Sequence, residues 1–233
     1  MLRTIKAEHM EHVPFALDLG FALLTLVCVI VFLRATGWPR VLAVVIAGWA
    51  ALLAALGLTG FYLQTQGWPP RFAMVIGLPL LGIAALFATQ AGRRFIDRAD
   101  PAMLTLFHVV RVPVELVLFG LFAYGAVPEL MTFEGRNFDV WSGLTAPLIF
   151  WFGYKRKVLR RWALIAWNSA CLGLLLNIVI NAILAAPFDF QTQAFDRPNV
   201  AVLYVPYVWL PGVVVPLVLC AHLICLRTLI RSK

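Results

Sequence analysis

Charged residues are scarce in this sequence. Asp, Glu, Lys and Arg make up 13% of the 233 residues, whereas 62% of the residues are apolar. A soluble domain carries roughly 25% charged and about 45–50% apolar residues, so the composition excludes a soluble domain, and it fits neither a disordered nor a fibrous chain. It predicts an all-α, polytopic membrane protein that forms one transmembrane domain over residues 1–233.

Cysteine is also rare, and no known cofactor motif is present. The cysteines lie within apolar runs, where Cys behaves as a small hydrophobe, and they are Cys28, Cys171, Cys220 and Cys225. The sequence has no P-loop, GxSxG or glycine-rich phosphate cradle. The last apolar run lacks lysine, which excludes a retinal Schiff base. We therefore expect no disulfide and no cofactor.

Seven apolar runs are separated by charges, and each is a candidate transmembrane helix. A helix needs about 20 residues to cross a hydrocarbon core of ~30 Å. The fifth run is doubtful by this measure, because only 15 uncharged residues separate Asp139 from Lys155. The predicted spans are residues 14–33, 41–63, 72–91, 103–127, 140–154, 162–186 and 200–226.

The loop charges favour seven crossings. With seven spans, one set of loops holds 13 cations and two acids, and the opposite set holds five cations and eight acids. The two sets of loops therefore carry net charges of +11 and −3, the asymmetry that the positive-inside rule describes. We predict an N-terminus outside, a cytoplasmic C-terminus and a bacterial inner-membrane location. The formal charge of +8 then reflects cytoplasmic loops, and no nucleic-acid partner is expected.

The N-terminal segment does not have the pattern of a cleaved signal peptide. Residues 1–13 carry Glu8 and Glu11 beside Arg3 and Lys6, and the first apolar run is long and has no small-x-small cleavage site. We expect this run to remain as the first span.

A repeated tripeptide is compatible with internal duplication. Gln64-Thr65-Gln66 follows the second run, and Gln191-Thr192-Gln193 follows the sixth. Runs 1–3 and 5–7 would then be parallel repeats joined by run 4, a 3+1+3 layout. A tripeptide also recurs by chance, so both origins stay open.

The fourth run contains charges, which is rare inside a membrane. His108, Arg111 and Glu115 share one helix face, and Pro113 lies between them. One hypothesis is a substrate site or proton relay in which Glu115 titrates and Arg111 tunes it. The alternative is an Arg111–Glu115 ion pair that pins the helix, with His108 at the headgroup level.

A second histidine, His222, is predicted at the same depth as His108. Two such histidines could hold a metal or haem. No HxxxH, HExxH or CxxC spacing supports this, so we predict no metal site and a histidine with ordinary hydrogen bonds.

Polar residues near the outer ends of the runs are candidates for a cavity wall or outer mouth. They are Asn177, Asn181, Tyr204, Tyr207, Glu129, Glu134, Arg136, Asn137 and Asp139. Interhelical hydrogen bonds for the asparagines and an aromatic belt for the tyrosines are the alternatives.

We expect a polar cavity between runs 1, 4, 6 and 7. The leading hypothesis is a small transporter or receptor-like protein that binds a small molecule or ion among membrane lipids. The alternatives are an intramembrane enzyme for a lipid or isoprenoid, and a structural or assembly subunit. The oligomeric state stays open.

Overall fold

The computed structural model describes residues 10–231, and within that range the chain is helical without β-strands. The signal-peptide prediction depends on Arg3, Lys6, Glu8 and Glu11. The first three of these residues lie outside the described residues. The α-helices are α1 Phe15–Ala35, α2 Arg40–Leu58, α3 Ala73–Ala88, α4 Gln90–Ile96, α5 Pro101–Phe107, α6 Arg111–Ala123, α7 Val140–Ile149, α8 Arg161–Ala185 and α9 Val215–Arg231.

Short 3₁₀ and π segments join or extend these helices. The 3₁₀ segments are Phe61–Leu63, His108–Val110, Glu129–Met131 and Ala201–Leu203, and the π segments are Phe150–Lys155 and Leu210–Val214.

Five helical segments of the described chain are long and apolar enough to cross a membrane, and a bent pair is a sixth candidate. The predicted all-α membrane fold is confirmed at this level. The fifth run forms the ten residues of α7 followed by a six-residue π segment. Pro147 lies inside α7 and removes one backbone donor shortly before the helix widens. The seven-helix count, the orientation and the repeat stay predictions.

The third run is broken rather than straight. Helices α3 and α4 meet at an angle of 91°. Thr89 ends α3 and caps α4, since its hydroxyl accepts from Gly92 N at 3.1 Å. A Cβ at Gly92 would clash with Leu86 O, so the bend depends on glycine at this position.

The seventh span begins later than predicted. Residues 200–209 are apolar but fold into a 3₁₀ turn and loop, and the long helical segment starts at Leu210. The predicted start at residue 200 is wrong because Pro206 cannot donate to a helical ladder and the segment is buried against other loops instead. Ala201 N donates to Ala126 O at 3.2 Å, for example.

Three long loops meet at one end of the bundle, residues 59–72, 124–139 and 186–209, and we call this the long-loop end. Gly67 N donates to Asp189 Oδ2 at 3.0 Å, which joins the first loop to the third. Asn177 Nδ2 donates to Arg136 O at 3.0 Å, which ties the second loop to α8. The long-loop end is therefore a structured cover over the helices.

The helices differ greatly in burial. In its most apolar window 61% of Leu210–Arg231 is buried, against 11% for Arg40–Leu58. The segment ending in α9 is the centre of the bundle and packs against α8, α5, α3 and α1. Helix α2 is held to it by two indole N–H groups, because Trp49 donates to Gly212 O and Trp209 donates to Ala50 O, both at 2.9 Å.

Candidate functional site

Arg111 is the hub of a buried polar cluster. It is the first residue of α6 and is 3% exposed. Its Nη1 donates to Asp139 Oδ1 at 2.9 Å and to Cys171 O at 3.3 Å, and its Nη2 lies 3.0 Å from His222 Nε2. The guanidinium therefore joins α6 to the start of α7, to α8 and to α9. A planar fork of donors suits this role better than the single ammonium of lysine.

His222 is a neutral acceptor in this cluster. Its Nδ1 lies 3.1 Å from Asn168 Oδ1, and Asn168 Nδ2 donates to Leu164 O at 3.0 Å. The amide oxygen therefore faces the ring, so the Nδ1–H donates to it. The other ring nitrogen, Nε2, then accepts from Arg111. Because both ring nitrogens are used, His222 is held in one tautomer.

His108 is stacked on His222 and is fully buried. The ring centroids are 3.8 Å apart with 15° between the planes, and Trp167 contacts His108 edge-on at 5.8 Å. Neither ring nitrogen of His108 has a hydrogen-bond partner in the structure. His108 therefore lies in the protein interior, and its predicted depth at the headgroup level stays a prediction.

Glu115 belongs to a second group, which is joined to the first through the backbone of one loop. Asn137 Nδ2 donates to Glu115 Oε1 and, at 3.0 Å, to Met131 O. Asn137 Oδ1 accepts from Asp139 N at 3.2 Å, so one asparagine contacts the Glu115 carboxyl group and the Asp139 backbone. The turn that brings it here requires Gly135, where a Cβ would clash with Glu129 O.

Arg111 forms its salt bridge with Asp139, whereas an Arg111–Glu115 ion pair was one of the two alternatives that the sequence left open. The fourth run is not one α-helix, because the 3₁₀ turn His108–Val110 precedes α6. Pro113 is the third residue of α6, so the missing N–H falls in the first turn. Gly143 lets α7 approach this turn, since a Cβ there would lie 2.8 Å from Val112 Cγ2 and 3.3 Å from Arg111 Cβ.

A cavity of about 450 Å³ opens beside this cluster toward the long-loop end. Its walls come from α3, α6, α8 and residues 202–215, and they are almost entirely apolar. Trp68, which is 85% exposed, lies at its rim. Four buried polar residues line the cavity. Glu115, Asn137 and Asp139 are linked through Asn137, and we call these three the polar pole. The fourth, Asn199, contacts Ala182 on α8.

The cavity differs from the predicted one in two respects. It lies between the third, fourth, sixth and seventh runs, and α1 contributes no lining residue among those described. Its walls are apolar rather than polar, apart from the polar pole and Asn199. Helix α1 packs against α5 and α6 instead. Near its N-terminus, Tyr207 Oη donates to Asp18 Oδ1 at 2.7 Å.

Of the predicted mouth residues, the structure brings Asn137 and Asp139 to the cavity and places the others elsewhere. Tyr207 is buried against α1, and Tyr204 is half-buried. Asn181 Nδ2 donates to Asn177 O at 2.9 Å, a contact within α8. Three further predicted residues are exposed on the loop surface, namely Glu129, Glu134 and Arg136.

Asn199 is a buried polar residue of the cavity lining that could not be identified from the sequence. It is 1% exposed, its Nδ2 donates to Ala182 O at 3.4 Å, and its Oδ1 has no hydrogen-bond partner. It stands at the start of an apolar run and beside Arg197-Pro198, where an asparagine is ordinarily a solvated turn residue. Only the fold of the 186–209 loop brings it to the cavity.

No metal centre is present among residues 10–231, since no group of three or more His, Cys, Asp or Glu lies close enough together to hold an ion. His108 and His222 stack face to face, and His222 uses both nitrogens in hydrogen bonds. Comparison with protein-family models, curated proteins and solved structures found no match to this chain. The functional assignment therefore depends on the site alone.

Proposed function

We propose that this protein binds an apolar, lipid-like or isoprenoid-like molecule in the cavity, as a small transporter or receptor-like membrane protein. The observation that carries the proposal is the cavity of about 450 Å³, whose walls are mostly apolar and which includes the linked polar residues of the polar pole. Ligand cavities typically measure roughly 300–1,000 Å³ and combine apolar walls with a few placed polar groups.

The distribution of polar residues around the cavity favours an amphipathic molecule over an ion. An ion needs several oxygen ligands around it, and a hydrophilic solute needs polar groups on several walls. Here α3 and the facing part of α8 supply residues such as Ile76, Ile178 and Val179. These side chains suit a hydrocarbon chain, and the polar pole suits one polar end group.

An intramembrane enzyme for a lipid or isoprenoid is the second candidate. Two carboxylates, Glu115 and Asp139, stand at the same pole of an apolar cavity, and Asn137 contacts both residues. Carboxyl groups in such surroundings are suited to general acid–base chemistry. A turnover assay separates the candidates, because binding alone leaves the molecule unchanged.

A structural subunit is disfavoured by the same groups. That role predicts polar side chains that satisfy one another in a packed core. Glu115 Oε2 and Asn199 Oδ1 are instead buried without partners at the edge of a cavity. Buried unpaired acceptors are costly, and a binding site accounts for their presence.

The test is recovery of a co-purified molecule. The full chain is purified in mild detergent, extracted with organic solvent and analysed by mass spectrometry, beside two variants on α8. Ala182→Phe fills the cavity that Ala182 lines, and Ala170→Phe places the same side chain on the exposed face. We expect a near-stoichiometric lipophile from the parent chain and from Ala170→Phe, and its loss from Ala182→Phe. Equal recovery from both variants would contradict the proposal.

We also propose that the chain crosses a bacterial inner membrane seven times, with the long-loop end outside. The charge distribution of +11 against −3 supports this arrangement. The fifth crossing is decisive, because the 155–161 basic segment would otherwise lie on the outer side. Labelling of single cysteines in intact cells tests it: Glu134→Cys should react with an impermeant maleimide, and Arg156→Cys should not. Reaction at both positions would overturn the topology.

A further inference from the structure

We infer that the protein binds an anionic phospholipid in a second cavity, with an acyl chain between α2, α3 and α9 and the headgroup at Arg40 and Arg94. The second cavity measures about 590 Å³ and shares no lining residue with the cavity of the proposed function. The inference therefore rests on the proposed crossing of α3 but not on the molecule bound in the first cavity.

The second cavity is lined by apolar side chains. Its lining contains no charged residue, and the indole N–H of Trp49 is already donated to Gly212 O at 2.9 Å. Val41, Val45 and Leu78 line the cavity and are also exposed, so it opens onto the outer surface of the helices. In a membrane that surface meets lipid tails, which are as apolar as leucine, so a lipid chain suits this cavity.

The length of the second cavity matches one leaflet of a bilayer. Its lining residues lie within Val41–Trp49 on α2, Leu78–Leu86 on α3 and Gly212–Cys220 on the segment that ends in α9. Each stretch advances eight residues and is therefore about 12 Å long at ~1.5 Å per residue. Half of a hydrocarbon core of ~30 Å is ~15 Å. The cavity therefore accommodates much of one acyl chain.

The two ends of the second cavity differ. At the inner end, the hydrogen bond from Trp49 to Gly212 O joins α2 to the central segment. At the other end lie Pro39, which directly precedes α2, and Phe95 of α4. Both residues belong to the end of the bundle opposite the long-loop end, which we call the short-loop end. The headgroup of a lipid in this cavity therefore lies at the short-loop end.

Two arginines flank the cavity at the short-loop end. Arg40 is the first residue of α2 and stands between the lining residues Pro39 and Val41, and Arg94 directly precedes Phe95. Consecutive Cα atoms are about 3.8 Å apart, so both arginines begin at the rim of the cavity. Because α4 lies at 91° to α3, it runs along the surface of a membrane that α3 crosses. This places Arg94 at the depth of the headgroups.

The charges of these two arginines are not neutralised within the described part of the chain. Arg40 and Arg94 are exposed, and neither forms a salt bridge among the described residues. The acids that follow α4 are engaged elsewhere, since Asp97 pairs with Arg227 and the carboxylate of Asp100 caps α5. An anionic headgroup supplies the missing charge, and its phosphate suits the forked donors of arginine.

The first experiment compares two lipids with the same acyl chains, dioleoyl phosphatidylglycerol and dioleoyl phosphatidylcholine. Each is titrated into the delipidated full-length chain in detergent, and bound lipid is counted by native mass spectrometry. We expect the anionic phosphatidylglycerol to bind at least about fivefold more tightly, which is the effect of one basic side chain near an anionic headgroup. Equal affinities for the two lipids would overturn the inference.

Substitutions of glycine test the location of the acyl chain. Gly82 lines the second cavity, and a Cβ there has no atom within 4 Å, so Gly82→Phe fills open space. It should weaken phosphatidylglycerol binding at least about tenfold, the effect of displacing about two methylene groups. Gly82→Leu repeats the test with a smaller side chain. Gly48→Phe is the matched control, because its Cβ is equally free of contacts and Gly48 does not line the cavity. Equal binding by the Gly82 and Gly48 variants would overturn the inference.

Substitutions of basic residues test the location of the headgroup. Arg40→Gln/Arg94→Gln should lower the affinity for phosphatidylglycerol to about that for phosphatidylcholine. Lys157→Gln/Arg160→Gln removes the same charge from exposed positions at the short-loop end that do not adjoin the cavity, and it should have no such effect. Equal losses in the two double variants would show attraction to the basic end as a whole and would overturn the inference. Thermal unfolding of each variant verifies that the chain is folded.

Discussion

Arg111 and Asp139 are 28 residues apart in sequence and form a buried salt bridge of 2.9 Å, with 3% and 8% of their side chains exposed. The bridge joins α6 to the start of α7 at a point where neither charge has access to water. Arg111 also contacts His222, and the backbone N–H of Asp139 donates to Asn137 Oδ1. The polar cluster and the cavity therefore share one carboxylate.

Removal of one partner of this bridge should be strongly destabilising. Arg111→Met leaves Asp139 buried and unpaired, and we expect a loss of about 3–5 kcal/mol in the free energy of unfolding. The double variant Arg111→Met/Asp139→Leu should recover much of that loss, because no charge stays unpaired. Denaturant unfolding in mixed micelles measures both. Additive losses in the double variant would show that the two residues do not form a pair.

The two stacked histidines should respond in opposite ways to the same substitution. His222→Phe leaves Arg111 Nη2 and Asn168 Oδ1 without partners, at roughly 1–3 kcal/mol for each group. His108→Phe keeps the ring stack and removes two unpaired nitrogens, so stability should change by less than about 1 kcal/mol or rise. Thermal unfolding of the pair provides the comparison, and equal losses would mean that His108 has a partner.

Close approach of α7 to α6 should depend on Gly143. Gly143→Ala places a methyl group 2.8 Å from Val112 Cγ2 and should cost about 1–3 kcal/mol of stability through overpacking. Gly173→Ala is the matched control, because nothing lies within 4 Å of its added Cβ. If both variants unfold at the same denaturant concentration, that result would contradict the close packing of Gly143 against α6.

The hydroxyl of Tyr207 should stabilise the contact between the 186–209 loop and α1. Tyr207→Phe removes its hydrogen bond to Asp18, and a bond to a carboxylate contributes roughly 1.5–3 kcal/mol. Tyr204→Phe, on the same loop, should have little effect. Unfolding by denaturant measures both variants, and a larger loss for Tyr204→Phe would argue against the placement of this loop.

Much of the helical layout could be predicted from the sequence because apolar runs and loop charges record where a chain is buried in lipid. The first, second, fourth and sixth runs match helical segments with ends shifted by a few residues. The later start of the seventh span was not predictable in this way. Residues 200–209 are apolar because they are buried against loops, and hydropathy does not distinguish that burial from a membrane span.

The site was only half predictable for a physical reason. His108, Arg111 and Glu115 could be found because charges inside an apolar run are costly and therefore conspicuous. Their partners could not be assigned, since Asp139 and Asn137 lie in a loop whose path depends on the turn at Gly135. The sequence spacing favoured Glu115 as the partner of Arg111, but the tertiary fold brought a different carboxylate closer. Asn199 could not be identified from the sequence, because only the fold of the 186–209 loop brings it to the cavity.

A crystal structure of the protein purified with its co-extracted lipids tests the central claim most directly. We expect elongated electron density along Val114, Ile178 and Val202, with its polar end at the polar pole. Side chains packed against one another across that space, with Glu115 and Asn199 paired within the protein, would contradict the account.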